Sequence, residues 1–233
     1  MTAPRRRGLL LGVRQETWGT VIGTASALVI TNALLALTSL PLLVLLVTTD
    51  PRASWPALAV AAVMAFPGLT AVATVFAAFT DRKETGVFSV YWASWRRNLM
   101  RSLALGALVV GALTVLVVDA VALWGLPVGA VAIPVVAVLI ALVITTAPLA
   151  VVACAEREDA RLREVLKASL FLGLRRWYLS LLTLVMVGML WTFFVQFPAL
   201  AVGLAAAPLL YGAWSNVRYS LRPVLRDPEP VPA

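Results

Sequence analysis

The side chains that perform most hydrolytic and metal-dependent chemistry are scarce in this sequence. There is no histidine, which removes histidine-dependent triads and metal sites built on imidazole. The single cysteine, Cys154, lies in an apolar run and is typical of a buried packing residue. Acidic residues lie mainly among arginines in polar segments, without the clustering that acid–base catalysis needs. The sequence therefore predicts a protein that is not an enzyme and has no cofactor, metal site or ATP-binding motif.

Five uncharged polar side chains lie within the long apolar runs: Asn32, Thr70, Thr145, Thr146 and Gln196. Such side chains either bond to a neighbouring helix or line a route for a neutral solute, because an unpaired polar group in hydrocarbon is unfavourable. For Asn32, near the middle of the first run, we favour a hydrogen bond to another helix. The runs contain almost no ionisable side chain, apart from Asp119 near one end, which disfavours ion-coupled transport.

Composition indicates an integral membrane protein whose principal partner is the lipid bilayer. Hydrophobic residues make up 61% of the chain and charged residues 13%, against about 25% charged residues in soluble domains. A formal charge of +8 favours nucleic acid as a partner in a soluble protein. Here the basic residues flank apolar runs, where positive charge sets orientation in the membrane, so we predict no nucleic-acid partner.

The predicted fold class is all-α: a polytopic membrane helical bundle with six transmembrane helices arranged as three hairpins, and with interfacial amphipathic helices. The spans cover about 20–47, 55–79, 103–123, 128–153, 177–197 and 199–214. All but the last reach the roughly 20 residues that cross a bilayer. We expect one membrane-embedded domain over 1–226 and a disordered tail over 227–233.

Prolines within the spans predict distortions of the helices. Pro41 predicts a kink near the end of the first span, and Pro134 and Pro148 predict kinks in the fourth. In the second span the sequence Phe-Pro-Gly-Leu-Thr-Ala at 66–71 predicts a break or kink, since proline removes a donor and glycine loosens the backbone. Before the first span we expect a short interfacial segment over 1–19, anchored by Trp18.

The distribution of positive charge predicts the orientation. Segments 1–19, 80–102, 154–177 and 215–233 contain every lysine and arginine except Arg52, and six spans place all four segments on one side. By the positive-inside rule that side is the cytoplasm. We therefore predict a multi-pass protein of the cell membrane with both termini cytoplasmic.

The second cytoplasmic segment is predicted to be a basic, aromatic loop at the membrane surface. Its aromatic residues recur at steps of three and four, which favours an interfacial amphipathic helix, and the third span follows from about 103. Four residues at its end, Trp95, Arg96, Arg97 and Asn98, are candidates for a cytoplasmic interface.

The third cytoplasmic segment, 156–176, predicts one continuous helix lying partly along the membrane surface. Its apolar stripe, formed by Leu162, Val165, Leu166 and Leu170, is expected to be buried. The stripe either packs on its own bundle or docks a partner, so Leu162 and Leu166 are interface candidates. The paired arginines Arg175 and Arg176, which precede the fifth span, are candidates as well.

Several motifs resemble those of the YesL-like family of bacterial integral membrane proteins of unknown function. They are Leu-Pro at 40–41, Phe-Pro-Gly-Leu-Thr-Ala at 66–71, Trp-Arg-Arg-Asn-Leu at 95–99, the charged segment before Arg-Arg at 175–176, and the basic end at 218–226. The resemblance implies an accessory membrane component often found beside carbohydrate uptake systems. It implies no established activity and transfers no site residues.

Two functions therefore stay open. The first is an accessory or regulatory subunit that docks on a transporter complex, which the resemblance implies to be one for sugars. The alternative is a small-solute permease or channel for a neutral substrate. The sequence does not predict an oligomeric state.

The orientation can be tested by cysteine labelling. Cysteines at positions 50 and 125 should react with a membrane-impermeant thiol reagent in intact cells, because both lie in the predicted outer turns. Cysteines at positions 84 and 160 should react only after permeabilisation. The reverse pattern of labelling would refute the predicted topology.

Overall fold

The computed structural model describes residues 7–82, 86–157 and 159–225, and every regular element in these ranges is helical. Predictions for the arginines at 5 and 6, for position 84, for the side chain of Trp18 and for the tail at 227–233 lie outside what is described. The helices are α1 (Arg7–Thr38), α2 (Leu40–Thr48), α3 (Pro51–Arg82), α4 (Val87–Leu123), α5 (Gly129–Glu156), α6 (Leu162–Arg175), α7 (Trp177–Gln196), α8 (Pro198–Leu200) and α9 (Ala206–Leu225), with a π-helical segment at Ala201–Ala205 between the last two.

The predicted class, an all-α polytopic bundle, is confirmed. Within the described residues α3, α4, α5 and α7 are each long and apolar enough to cross a membrane, and α1 with α2 supplies a fifth span if the bent pair is counted as one. The sixth predicted span, 199–214, is divided among α8, the π segment and the start of α9, and no helix there passes the same test. A sixth crossing thus stays a prediction.

The predicted kink at Pro41 is confirmed as a sharp bend between α1 and α2. The two helices meet at Ser39 with an angle of 70°. Proline has no amide proton to donate, so a helix readily restarts with proline in its first turn, and Pro41 occupies this position in α2. The bend turns α2 along the side of α3.

The second and fourth predicted spans are unbroken helices. Pro67 lies inside α3 and Pro148 inside α5, and both helices continue through them, so the break proposed for 66–71 does not occur. Gly68 has a packing role instead: a Cβ atom there would lie 2.6 Å from the Thr38 hydroxyl. That hydroxyl is 2.6 Å from the Tyr91 hydroxyl, which also donates to the carbonyl of Leu34 at 3.3 Å. The missing side chain lets α1, α3 and α4 meet.

The helix predicted for the aromatic residues before the third span is confirmed from Val87 onward, but its separation from that span is wrong. A single helix, α4, contains both the aromatic residues and the span, and no proline or glycine interrupts residues 87–105. One face carries Tyr91, Ser94, Asn98 and Ser102, all buried. Packing against α3 through this face extends the helix beyond the apolar run that the sequence suggests.

The prediction of one continuous helix over 156–176 is also wrong. α5 ends at Glu156 and α6 begins at Leu162. The Arg101 guanidinium of α4 donates to the carbonyl of Arg157 at 3.1 Å and to that of Ala160 at 2.6 Å, so these carbonyls point to α4 and not along a helix. Glu164 then caps α6 by accepting a hydrogen bond from the amide of Arg161 at 3.3 Å.

Asn32 forms the interhelical bond that the sequence predicts. Its amide nitrogen donates to the carbonyl of Gly203 at 3.1 Å, and its amide oxygen accepts from the backbone N–H of Ala207 at 2.6 Å. Residues 203 and 207 are four apart and would bond to each other in a regular α-helix. The Asn32 side chain is therefore inserted between them, where the π segment widens the helix.

Replacing Asn32 should measure how much this inserted amide contributes to the free energy of unfolding. In Asn32→Asp the carboxylate cannot donate to Gly203, and the carbonyl loses its partner, so we expect a loss of about 1–3 kcal/mol in the free energy of unfolding. Asn32→Ala should cost less, because the freed groups at 203 and 207 can bond to each other. Unfolding in mixed detergent micelles provides the measurement.

Thr145→Ala is the matched control for these variants. The Thr145 hydroxyl bonds only to carbonyls of its own helix, at 2.8 and 3.0 Å, so its loss should change stability by a few tenths of a kcal/mol. Equal stability of Asn32→Asp and Thr145→Ala would contradict the structural role of Asn32.

Candidate functional site

An ionic centre joins the ends of three helices at one end of the bundle. Arg218 of α9 makes two parallel hydrogen bonds to the carboxylate of Asp81 in α3, at 2.9 and 2.5 Å. Its Nε atom lies 3.0 Å from Glu156 Oε1 at the end of α5, which makes a second ion pair. Arginine suits this position because its planar fork can face two carboxylates at once.

Aromatic side chains pack against the guanidinium of Arg218. The guanidinium carbon lies 5.2 Å from the ring centroid of Trp214, one turn earlier in α9. Trp214 in turn packs against Phe76 and Tyr211, with centroids 5.9 and 5.5 Å away. The hydrogen bonds with Asp81 are the largest cause that raises the pKa of Arg218, so the cation is permanent. The centre is a rigid contact between α3, α5 and α9.

A polar cleft of about 570 Å³ opens beside this centre. Its charged lining comprises Asp81, Glu156, Asp159, Arg97 and Arg218. Within the part of the chain that the structure describes, no group of three acidic or cysteine side chains is placed to hold a metal ion. The mixed charges fit hydrogen-bonding or zwitterionic partners, such as the polar surface of another protein. We call this end of the molecule, where Asp81, Glu156 and Arg218 meet, the basic end.

Beneath the cleft, polar side chains of α3 and α4 are paired with each other. The hydroxyls of Thr74 and Ser94 are 2.8 Å apart, and Ser102 donates to Thr70 at 2.9 Å. The amide of Asn98 donates to Ser94 at 3.3 Å. These bonds satisfy polar groups inside the bundle and tie the two helices together.

The polar side chains predicted within the spans are not brought to one site. Asn32 bonds to the π segment and to the first turn of α9, and Thr70 is fully buried where α3 packs against α4. Thr145 and Thr146 bond to carbonyls of their own helix, α5, with Thr146 donating to Leu142 at 2.7 Å. Gln196, the last residue of α7, is exposed.

The four candidates in α4 have different environments. Asn98 is buried against α3 and is not on a surface. Trp95 is partly buried and contacts Trp92, with ring centroids 5.4 Å apart. Arg96 and Arg97 are exposed, and Arg97 lines the polar cleft. Only the arginines are therefore placed to meet a partner directly.

The candidates in α6 and after it also separate into packed and exposed residues. Leu162 and Leu166 are partly buried and pack against the core, together with the buried Val165. Leu170 is 38% exposed, so its predicted burial is wrong, and Leu172 is buried in its place. The stripe thus packs on its own bundle.

The paired arginines occupy the junction of α6 and α7. Arg175 is exposed, whereas Arg176 donates to the carbonyl of Tyr219 at 3.2 Å and lies 5.8 Å from the centroid of its ring. Arg176 therefore joins this junction to α9.

Reasoning from the sequence missed the ionic centre. The available signal was position: Asp81 and Glu156 are the first acidic residues after the second and fourth apolar runs, and Arg218 is the first basic residue after the sixth. Residues at equivalent exits of three spans lie at the same membrane depth. Their pairing still depends on how the helices are arranged around the bundle, which spacing along the chain does not specify.

The fold and the site define a class: an all-α, multi-pass membrane bundle with a polar cleft at its basic end. Residues 28–120, from the second half of α1 through most of α4, match a family described as protein of unknown function, DUF624. This similarity covers less than half of the chain. Comparison with curated proteins and with solved structures found no match.

Substitution of Arg218 should test the ionic centre. Arg218→Ala leaves the Glu156 carboxylate, whose side chain is only 10% exposed, without its counter-ion, and breaking a buried pair costs about 3–5 kcal/mol. Asp81→Asn should cost about 1 kcal/mol or less, because the Asp81 side chain is half exposed. Unfolding in detergent measures both values.

Two further variants separate charge from packing. Glu156→Gln in the Arg218→Ala background should recover part of the lost stability, since it removes the unpaired carboxylate. Arg96→Ala, which removes an exposed arginine from α4, is the control and should be nearly neutral. A loss for Arg218→Ala no larger than that for Arg96→Ala would rule out the ionic centre as a structural contact.

Proposed function

We propose that this protein is an accessory or regulatory subunit of a membrane transporter and carries no solute itself. The observation that supports this role is that most polar side chains within the helices already have hydrogen-bond partners in the protein. Of the five that could line a solute route, four bond to the protein itself and Gln196 lies exposed at a helix end. A passive route for a polar solute needs such groups to face a shared passage.

The proposed docking surface lies at the basic end, which we place in the cytoplasm. Arg163 and Lys167 are exposed on α6, one turn apart, and the polar cleft opens at the same end of the bundle. Leu162 and Leu166 face inward and hold α6 on the bundle. In this proposal α6 presents its charged face to a partner and uses its apolar face for attachment.

The class of transporter is proposed from the resemblance to YesL-like proteins, with which the DUF624 similarity is compatible. That resemblance implies a carbohydrate uptake system as the partner. The alternative, a permease for a neutral solute, requires the pairs Thr70–Ser102 and Thr74–Ser94 to separate. Separation would cost both of these hydrogen bonds between α3 and α4, which disfavours this alternative.

Purification in mild detergent followed by identification of bound proteins tests the proposal. We expect a multi-pass permease subunit to co-purify and to be lost in Arg163→Glu and Lys167→Glu, because each variant reverses a charge on the proposed docking face. Arg52→Glu is the matched control: it reverses an exposed charge at the start of α3, at the opposite end of the bundle, and should retain the partner.

Reconstitution distinguishes the two functions. The purified protein in liposomes should give no flux of sugars or other neutral solutes above that of empty liposomes. Isolation without any partner, together with solute flux in liposomes, would overturn the accessory role and establish the permease.

A further inference from the structure

Two neighbouring apolar cavities lie between α7 and the rest of the bundle. The larger, of about 360 Å³, is lined by residues of α3, α4, α5, α7 and α9. The smaller, of about 260 Å³, is lined by residues of α1, α2, α3, α7 and the segment leading into α9. Leu69, Val187, Leu190 and Leu210 line both, so only a shared wall of aliphatic side chains separates them.

The larger cavity opens towards the surface that a bilayer covers. Ile144 of α5 and Val187 of α7 line it and are 38% and 39% exposed, so its mouth lies between these two helices. Its far wall is deeply buried, with Ala73, Ala213 and Trp214 between 4% and 6% exposed. The cavity therefore leads from the lipid-facing surface to the interior.

The position of α7 explains why this space persists. Asn216 of α9 donates to the carbonyl of Leu179 at 2.6 Å and to the Thr183 hydroxyl at 2.8 Å, which joins α7 to α9 near the basic end. The Ser180 hydroxyl donates to the carbonyl of Gly173 at 3.2 Å. Beyond Thr183, no residue of α7 is buried. α7 is thus fixed at one end and stands away from α3.

We propose that the larger cavity binds one acyl chain of a membrane phospholipid from the leaflet at the basic end, and that the chain extends towards the smaller cavity. Apolar cavities exclude water and accept hydrocarbon ligands. The mouth faces the bilayer, where phospholipid chains are the abundant molecules of this chemistry. This inference is independent of the accessory role.

Depth and charge both fit a phospholipid of that leaflet. Leu184 of the cavity lies seven residues after Trp177, where α7 begins, which is roughly 10 Å of helix, and the exposed Arg175 lies at the end of α6 just before this helix. The hydrocarbon half of a leaflet is about 15 Å thick, so a chain whose phosphate lies near Arg175 reaches the cavity. A basic side chain at that level attracts the phosphate.

Photolabelling in a bilayer tests the proposal. The protein is reconstituted in vesicles that contain a phospholipid with a diazirine near the middle of one acyl chain, and labelled residues are mapped by mass spectrometry. We expect label on Trp214 and Val217, which annular lipid cannot reach because they are 5% and 1% exposed. Label on the exposed Leu181 and Val185 serves as the internal reference for lipid contact.

Filling the cavity should remove the interior label. Ala73→Leu and Ala213→Leu add side-chain volume at the wall, and together they should lower the labelling of Trp214 and Val217 at least fivefold relative to Leu181. Ala104→Leu adds the same volume on the exposed face of α4 and should leave the pattern unchanged. Ala73→Leu alone replaces the double variant if the latter does not elute as a folded protein.

Three outcomes overturn the proposal. The first is label restricted to exposed residues in the wild-type protein, and the second is equal interior label in the filled variants. The third is interior label from a free fatty acid carrying the same diazirine but none from the phospholipid, which would assign the cavity to a free acid. Interior label from the phospholipid that is lost on filling supports the proposal.

Discussion

A polar group that lies within hydrocarbon must find its partner inside the protein, and the amide of Asn32 shows what this constraint achieves. Its two bonds to the backbone at Gly203 and Ala207 bring the first helix against the segment that leads into the last. Ala207 lies in the first turn of α9, and the same helix carries Trp214 and Arg218 towards the basic end. A single side chain thus ties α1 to the helix that supplies the arginine of the ionic centre.

The interior changes in character from the basic end to the middle of the bundle. Charged groups around Arg218 give way to paired hydroxyls and amides between α3 and α4, and these give way to aliphatic cavities beside α7. Each layer meets the cost of burial differently: ion pairs near water, mutual hydrogen bonds deeper, and apolar contacts deepest. The pairing of these polar groups with each other supports the proposed docking role over passage of a polar solute.

Features that depend on composition and local pattern could be read from the sequence. The apolar runs predicted the long helices, Pro41 predicted the bend before α2, and the position of Asn32 in hydrocarbon predicted its interhelical bond. Burial of Cys154 is confirmed for the same reason. These predictions required only the preference of each residue for water, hydrocarbon or a hydrogen-bond partner.

Features that depend on contacts between distant segments could not be read in the same way. The helix over 156–176 is interrupted because Arg101, more than fifty residues earlier, takes two of its carbonyls. α4 begins at Val87 because its polar face packs on α3, where Ser94 pairs with Thr74 and Ser102 with Thr70, although the run of apolar residues starts later. Leu170 has the right spacing for burial, yet α6 rotates Leu172 inward. In each case a contact with a distant segment determined which of the possible local structures formed.

The wide separation of bonded partners has a consequence for biosynthesis. Gly203 and Ala207, the partners of Asn32, follow it by 171 and 175 positions, and Arg218 follows Asp81 by 137 positions. During translation the first helices therefore enter the membrane before their partners have left the ribosome. Until the C-terminal helix emerges, the nascent chain holds an unsatisfied amide in lipid and uncompensated carboxylates at the surface. A chain truncated before α9 would keep those defects permanently, so membrane quality control could distinguish it from the finished protein by its exposed polar groups alone.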